Sequence, residues 1–188
     1  MLLASDLATA QTHRGEAMTD ASTASRTMTA TIGNAPGGKY LTFMLGEEVF
    51  GVEIIKIQEI IRMQKVTRVP RVRDYVRGVI NLRGKIIPII ELRRKFGMEP
   101  QADTDKTCII VFHVNGEDGV CIMGIIIDEV KEVQNIGSEN IEPPDFLSGG
   151  IGNDFIMGIG KVGGEVKILL DIDRILTTAE LAQLAKVE

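Results

Sequence analysis

Residues 78–96, GVINLRGKIIPIIELRRKF, lie without a gap over residues 158–176, GIGKVGGEVKILLDIDRIL. At this offset of 80, Gly78 falls on Gly158, Gly84 on Gly164, Ile89 on Leu169, Ile90 on Leu170, Glu91 on Asp171 and Arg94 on Arg174. Upstream, GVEIIKIQEI (51–60) lies over GIIIDEVKEV (124–133) at an offset of 73, with Gly51 on Gly124 and Glu59 on Glu132. The difference of seven residues places an insertion in the later copy, in the turn-rich loop 137–154. A repeat of this length constrains the fold, because both copies must form the same unit and each must cover an apolar face that it cannot bury alone.

Each copy holds about five short apolar segments separated by glycine turns, the pattern of a small closed β-barrel. A lone unit of some 65 residues buries little core, and two packed together bury more. The expected architecture is mostly β, with two five-stranded barrels packed side by side, short connecting helices and a C-terminal helix. The first barrel is expected over 39–105 and the second, with the C-terminal helix, over 106–188, the two forming one domain over 39–185. Residues 1–38 are rich in Ala, Thr and Ser, end in NAPGG and lack a core-forming pattern, so a disordered N-terminal extension is expected there.

Local signals fill in the elements. YLTFML and EVFGVEI flank Gly46-Glu47-Glu48 and read as a hairpin. EIIKIQEIIR (53–62) sets Ile54, Ile57, Ile60 and Ile61 on one helical face, while its density of β-branched side chains favours extended chain for part of it. RVRDYV suits one helical turn, ELRRKFG a short helix closed by Gly97, and 173–186 an amphipathic helix.

The copies differ where a hairpin turns: Asn81 and Arg83 stand in the first, Lys161 and Gly163 in the second. A turn does not need arginine, since the second copy manages with glycine. Arg83 is therefore a candidate for a role peculiar to one half, with Glu59 its partner by charge; an arginine exposed in an ordinary turn is the alternative. A partly buried pair would fix geometry, since breaking a buried pair costs roughly 3–5 kcal/mol.

Charge is unevenly spread. Residues 62–95 carry 11 Lys/Arg against 2 Asp/Glu, and residues 96–188 carry 6 against 17. Such a division steers partners or serves solubility on two surfaces. Catalytic patterns are missing from the sequence: His113 sits in a strand pattern, Ser138 and Ser148 have no nucleophile elbow, and no phosphate loop is present. Cys108 and Cys121 are isolated in strand patterns and no zinc spacing occurs, so no metal, cofactor or enzymatic activity is expected. The absence of a secretory signal and of paired cysteines favours the cytoplasm. A nucleic-acid-binding barrel using the basic 62–95 segment is the alternative function. It is weakened by the aromatics there being only Tyr75, since stacking needs ring faces. What remains is a binding module whose aliphatic groove between barrels accepts a partner's helix.

The block GVEIIKIQEII…VTRVP…VRGVINLRGKIIPIIELRRKFG resembles the chemotaxis coupling (adaptor) protein family, CheW-like, and the likeness runs from Tyr40 to about Leu184. The resemblance implies two SH3-like barrels and a non-catalytic scaffold for signal transduction. Its implied partners are a chemotaxis histidine kinase regulatory domain and a chemoreceptor (methyl-accepting protein) cytoplasmic tip. It further implies recruitment to membrane-associated arrays, with no nucleic acid and no membrane insertion. Carried onto matching positions, it implies receptor binding by Ile57, Glu59, Arg83, Ile126 and Ile127; kinase-binding residues stay unknown.

Overall fold

The computed structural model describes residues 35–116, 119–144, 154–177 and 179–180. The chain is mostly β. Its first copy forms β1 (Gly38–Leu45), β2 (Glu48–Glu53), a 3-10 turn (Ile54–Lys56), β3 (Ile57–Arg62), β4 (Val76–Leu82), β5 (Lys85–Glu91) and the helix α1 (Leu92–Lys95). The second forms β6 (Cys108–Gly116), β7 (Gly119–Ile127), β8 (Glu129–Ile136), the two-residue β9 (Ile141–Glu142), β10 (Ile156–Val162), β11 (Glu165–Leu170) and a 3-10 turn (Ile172–Arg174).

The strands assemble into two sheets, β8-β1-β2-β11-β10-β9 and β3-β6-β7-β5-β4. Exchanging each strand for its repeat equivalent converts the second order into the first. Each unit therefore takes its opening hairpin from one copy and the remaining strands from the other. The expected boundary at 105/106 does not divide the sheets: β1 and β2 belong with β8 to β11, and β3 to β5 with β6 and β7. The cause is a parallel pairing in each unit, β2 to β11 and β5 to β7, which a hairpin within one copy cannot supply.

Both sheets close on themselves. Beyond β3, Thr67 and Val79 exchange backbone hydrogen bonds of 2.8 Å each, tying the continuation of β3 to β4. In the other unit β9 follows β8 across one 3-10 turn (Ser138–Asn140) and pairs with β10. The sixth strand is thus the fifth one bent. Closure leaves few open backbone edges.

The repeat glycines mark these crossings. Gly51 sits opposite Leu169 in the parallel ladder, and a Cβ there would lie 2.8 Å from Leu169 Cδ2. Its equivalent Gly124 sits opposite Ile89, with 2.5 Å to Ile89 Cδ1. Gly78, at φ +143, passes the closing strand so closely that a Cβ would lie 2.1 Å from the Thr67 carbonyl oxygen.

Three apolar cores follow. The five-stranded sheet encloses Ile80, Ile87, Ile89, Ile109, Val111 and Ile126. The six-stranded sheet encloses Ala35, Tyr40, Ile136, Ile141 and Leu169. The largest core lies between them, where Phe43, Phe50 and Leu170 of one sheet meet Ile90, Phe112 and Ile125 of the other. Among the described residues the seam is packed with apolar side chains where an open groove was expected.

Several local expectations change. Residues 53–62 form a 3-10 turn and then a strand, with no helix; burial alternates along β3, and the β-branched side chains fit the pleated surface. Residues 70–75 turn without a helix, and Arg71 takes φ +60. Asp173 lies in the second copy's 3-10 turn, not in the C-terminal helix; Ala179 and Glu180 are helical, and 181–188 lie outside the described residues. The tail 1–34 lies outside them as well, while Ala35 is buried and Gly38 opens β1, so ordered chain begins before residue 39. Helix α1 ends with Gly97 at φ +70, as the sequence predicts.

Candidate functional site

The β4–β5 hairpin pairs Leu82 with Lys85, leaving Arg83 and Gly84 as its two-residue loop. Their φ values are +54 and +87. This is the primed turn that matches strand twist and demands positive φ at both positions, hence glycine or asparagine. The second copy complies, with Gly163 at +64 and Gly164 at +80. Arginine in the left-handed region costs roughly 1–2 kcal/mol, which glycine does not incur. Asn81 Oδ1 accepts the Gly84 N–H at 2.8 Å and helps hold the loop.

The strained residue points at a specific group. Arg83 Nη2 donates to Glu59 Oε2 at 2.8 Å. Glu59 belongs to β3, which stands with β4 at the two margins of the sheet, so the pair spans the barrel's closure. The Glu59 side chain is 19% exposed and that of Arg83 is 76% exposed. The pairing expected from charge is present, but it is far less buried than expected. A pair this exposed contributes roughly 0–1 kcal/mol to stability, which does not offset the backbone cost.

Around it, Ile57 is half-buried against the inter-barrel core, with Lys56 alongside bound to Asp173 at 2.6 Å. Ile55, in the preceding turn, is 83% exposed. The structure therefore brings Glu59 and Arg83 together, and sets Ile57 two residues before Glu59 on β3. Ile126 and Ile127 are different: they are 6% and 0% exposed, one inside a barrel and the other in the seam. Assigning them direct partner contact is corrected on that ground; they are core residues beneath the rim. Alternation along an antiparallel strand exposes every second residue, but β7 lies inside its sheet and is buried on both faces from Met123 to Ile127.

Residues 39–180 match the CheW-like domain. The chain belongs to the CheW-like domain family. It is 34% identical over 156 residues to the chemotaxis protein CheW of Klebsiella aerogenes, covering 83% of this chain and 92% of that protein. It is 36% identical over 147 residues to the CheW of Treponema pallidum, covering 77% and 85%. The crystal structure of the scaffolding protein TtCheW from Thermoanaerobacter tengcongensis superposes with a TM-score of 0.68 at 29% identity, over 77% of this chain and 95% of that one. This CheW-like chain is a non-catalytic chemotaxis adaptor, as its resemblance implies, and nothing favours the nucleic-acid reading.

Two buried polar clusters lie apart from the Arg83 hairpin. Glu180 accepts from Lys95 Nζ at 2.9 and 3.0 Å, from the Thr177 N–H at 2.7 Å and from the hydroxyl of Tyr75, whose ring lies beneath Lys95. Burial raises the Glu180 carboxyl, but these donors outweigh it and hold it at about 2. Burial, then its hydrogen bond to Glu180, pushes the Tyr75 hydroxyl up. Elsewhere Arg93 donates to Asp128 Oδ1 at 2.9 Å and to the Glu99 carbonyl at 3.1 Å, pinning the inter-copy linker. The available signal was the capping box Thr177-x-x-Glu180. Cys108 and Cys121 are free and half-buried, and burial pushes both thiols up, away from reactivity.

Proposed function

We propose that this chain couples chemoreceptor cytoplasmic tips to the regulatory domain of a chemotaxis histidine kinase, in the cytoplasm at membrane-associated arrays. The observation that carries the reading is Arg83, which holds a conformation suited to glycine and projects a largely exposed guanidinium braced by Glu59. Stability does not account for it. Recognition does, because a fixed cation on a rigid hairpin gives a partner's carboxylate or backbone carbonyl a defined register.

In this reading Ile57, Glu59 and Arg83 form the receptor contact, with Ile57 supplying apolar area and the ion pair orientation. Ile126 and Ile127 act only from beneath, by keeping the sheet that carries the rim rigid. Two closed barrels sharing one core move as a stiff connector. A receptor movement then alters kinase activity if the connector contacts the two signalling states differently.

The test is a reconstituted receptor–kinase activation assay with Arg83→Ala and Glu59→Ala. Both variants are expected to fold and to lose receptor affinity by about tenfold, the worth of one charged hydrogen bond, with receptor-dependent kinase activation falling in step. Normal activation by folded variants would sink the assignment.

A further inference from the structure

Between β3 and β4 the chain runs as triplets: Met63-Gln64-Lys65, Val66-Thr67-Arg68, Val69-Pro70-Arg71. Burial keeps that period. Met63, Val66, Val69, Val72 and Tyr75 are half-buried, and every residue between them is exposed. Met63 and Val66 pack onto the core of the five-stranded barrel. A three-residue period is that of an extended ribbon with three residues per turn, which carries every third side chain on one line. Arg62, at the end of β3, Lys65 and Arg68 stand at that spacing, all exposed. At about 3.1 Å per residue the row is about 19 Å long, and Arg71 and Arg73 follow at the turn.

None of these five cations makes an ion pair or a side-chain hydrogen bond with another described residue. Most other described cations are unlike this. From Arg77 to Arg174 every described Lys or Arg is ion-paired except Lys85 and Lys131. An uncompensated row on a molecule of net charge −5 is a surface awaiting acid.

We propose that the β3–β4 segment is a docking strip for an acidic stripe on a helix of a partner protein, separate from the Arg83 rim. The length of the row matches about 12 residues of helix at 1.5 Å each. Carboxylates seven residues apart on such a helix recur about every 10 Å, close to the spacing of Arg62, Lys65 and Arg68. Ile60, 44% exposed on the strand that ends in Arg62, offers apolar contact beside the charges. A membrane or a nucleic acid fits less well. Both are extended polyanions, and residues 96–188, with 6 Lys/Arg against 17 Asp/Glu, would repel them beyond the strip. A helix presents its acid as a narrow line.

The experiment needs no chemotaxis partner, so its failure is distinguishable from failure of the coupling role. The full chain is titrated with a synthetic alanine–glutamine helix bearing glutamate at every seventh position, and in parallel with phosphatidylglycerol vesicles and single-stranded DNA. Combined Arg62→Glu, Lys65→Glu and Arg68→Glu is expected to weaken peptide binding by about tenfold or more, and added salt to weaken it further. The combined glutamine substitutions, kept as a folding control, should weaken it less, and Lys131→Ala, on β8 of the other sheet, should leave it unchanged. Peptide binding indifferent to charge reversal overturns the proposal, as does reversal-sensitive binding to vesicles or DNA with none to the peptide.

Discussion

At the scale of single residues, Arg83 shows why a stability argument and a functional argument must be separated. Its φ of +54 and its exposed partnership with Glu59 together leave the folded state no better off than glycine would. Arg83→Gly is therefore expected to keep or raise the unfolding free energy, by up to about 1 kcal/mol, and so not to lower the thermal midpoint, while failing in the activation assay as Arg83→Ala does. A midpoint that falls by several degrees would show that the arginine serves the fold. Glu180 is the opposite case. Its carboxyl is held at about 2 against an ordinary 4.5, by donors that outweigh the burial raising it. A depressed carboxylate contributes stability above its unfolded pKa and loses it as pH falls through the folded one. The contribution, roughly 3 kcal/mol by the linkage relation, is whole above about 4.5 and disappears toward about 2. Glu180→Gln should flatten that acid limb in urea titrations taken from pH 6 down to 2; an unchanged limb would contradict the assignment.

At the scale of elements, periodicity alone misread β3. Ile54, Ile57, Ile60 and Ile61 have helical spacing, yet Ile57–Arg62 is a strand of period two, in which Ile57, Glu59 and Ile61 turn inward while Ile60 is 44% exposed. Isoleucine on the exposed side of a strand imitates a helical face, and the sequence carries no separate sign of it. Glycines are better guides. Gly78 and Gly158 stand at the same bulge in the two copies, where the closing strand crosses. Gly78→Ala drives a Cβ against backbone that is itself hydrogen-bonded to β4, at a φ that alanine resists. It is expected to destabilise by about 2 kcal/mol or more, and to expose the Thr67 and Val79 amides to hydrogen exchange. A wild-type denaturation midpoint would contradict barrel closure at this crossing.

At the scale of the whole molecule, the interleaving decides how the chain folds. Neither copy contains a complete barrel, so fragments 35–98 and 105–188 should each remain unfolded in isolation and regain β structure on mixing, as followed by circular dichroism. Independent folding of either would overturn the exchanged topology. Two ion pairs of opposite polarity join the copies at related places: Arg93 of the first copy meets Asp128, and Asp173, its repeat equivalent, meets Lys56. A copy paired with itself would set like charges together there, which favours the observed partnership. Family membership, the mostly β class, the duplication, the hairpin arginine and its partner Glu59 were all legible in the sequence, because turn chemistry, side-chain alternation and duplication are local or recur at fixed offsets. Which strands share a sheet, the burial of Ile126 and Ile127, the filled seam and the unpaired basic strip were decided only by tertiary structure. Apolar runs look alike whether they line a groove or fill a core, and a cation carries no mark in the sequence of whether a carboxylate lies across from it. Those outcomes depend on parallel pairings between residues far apart in the chain, about which local pattern is silent.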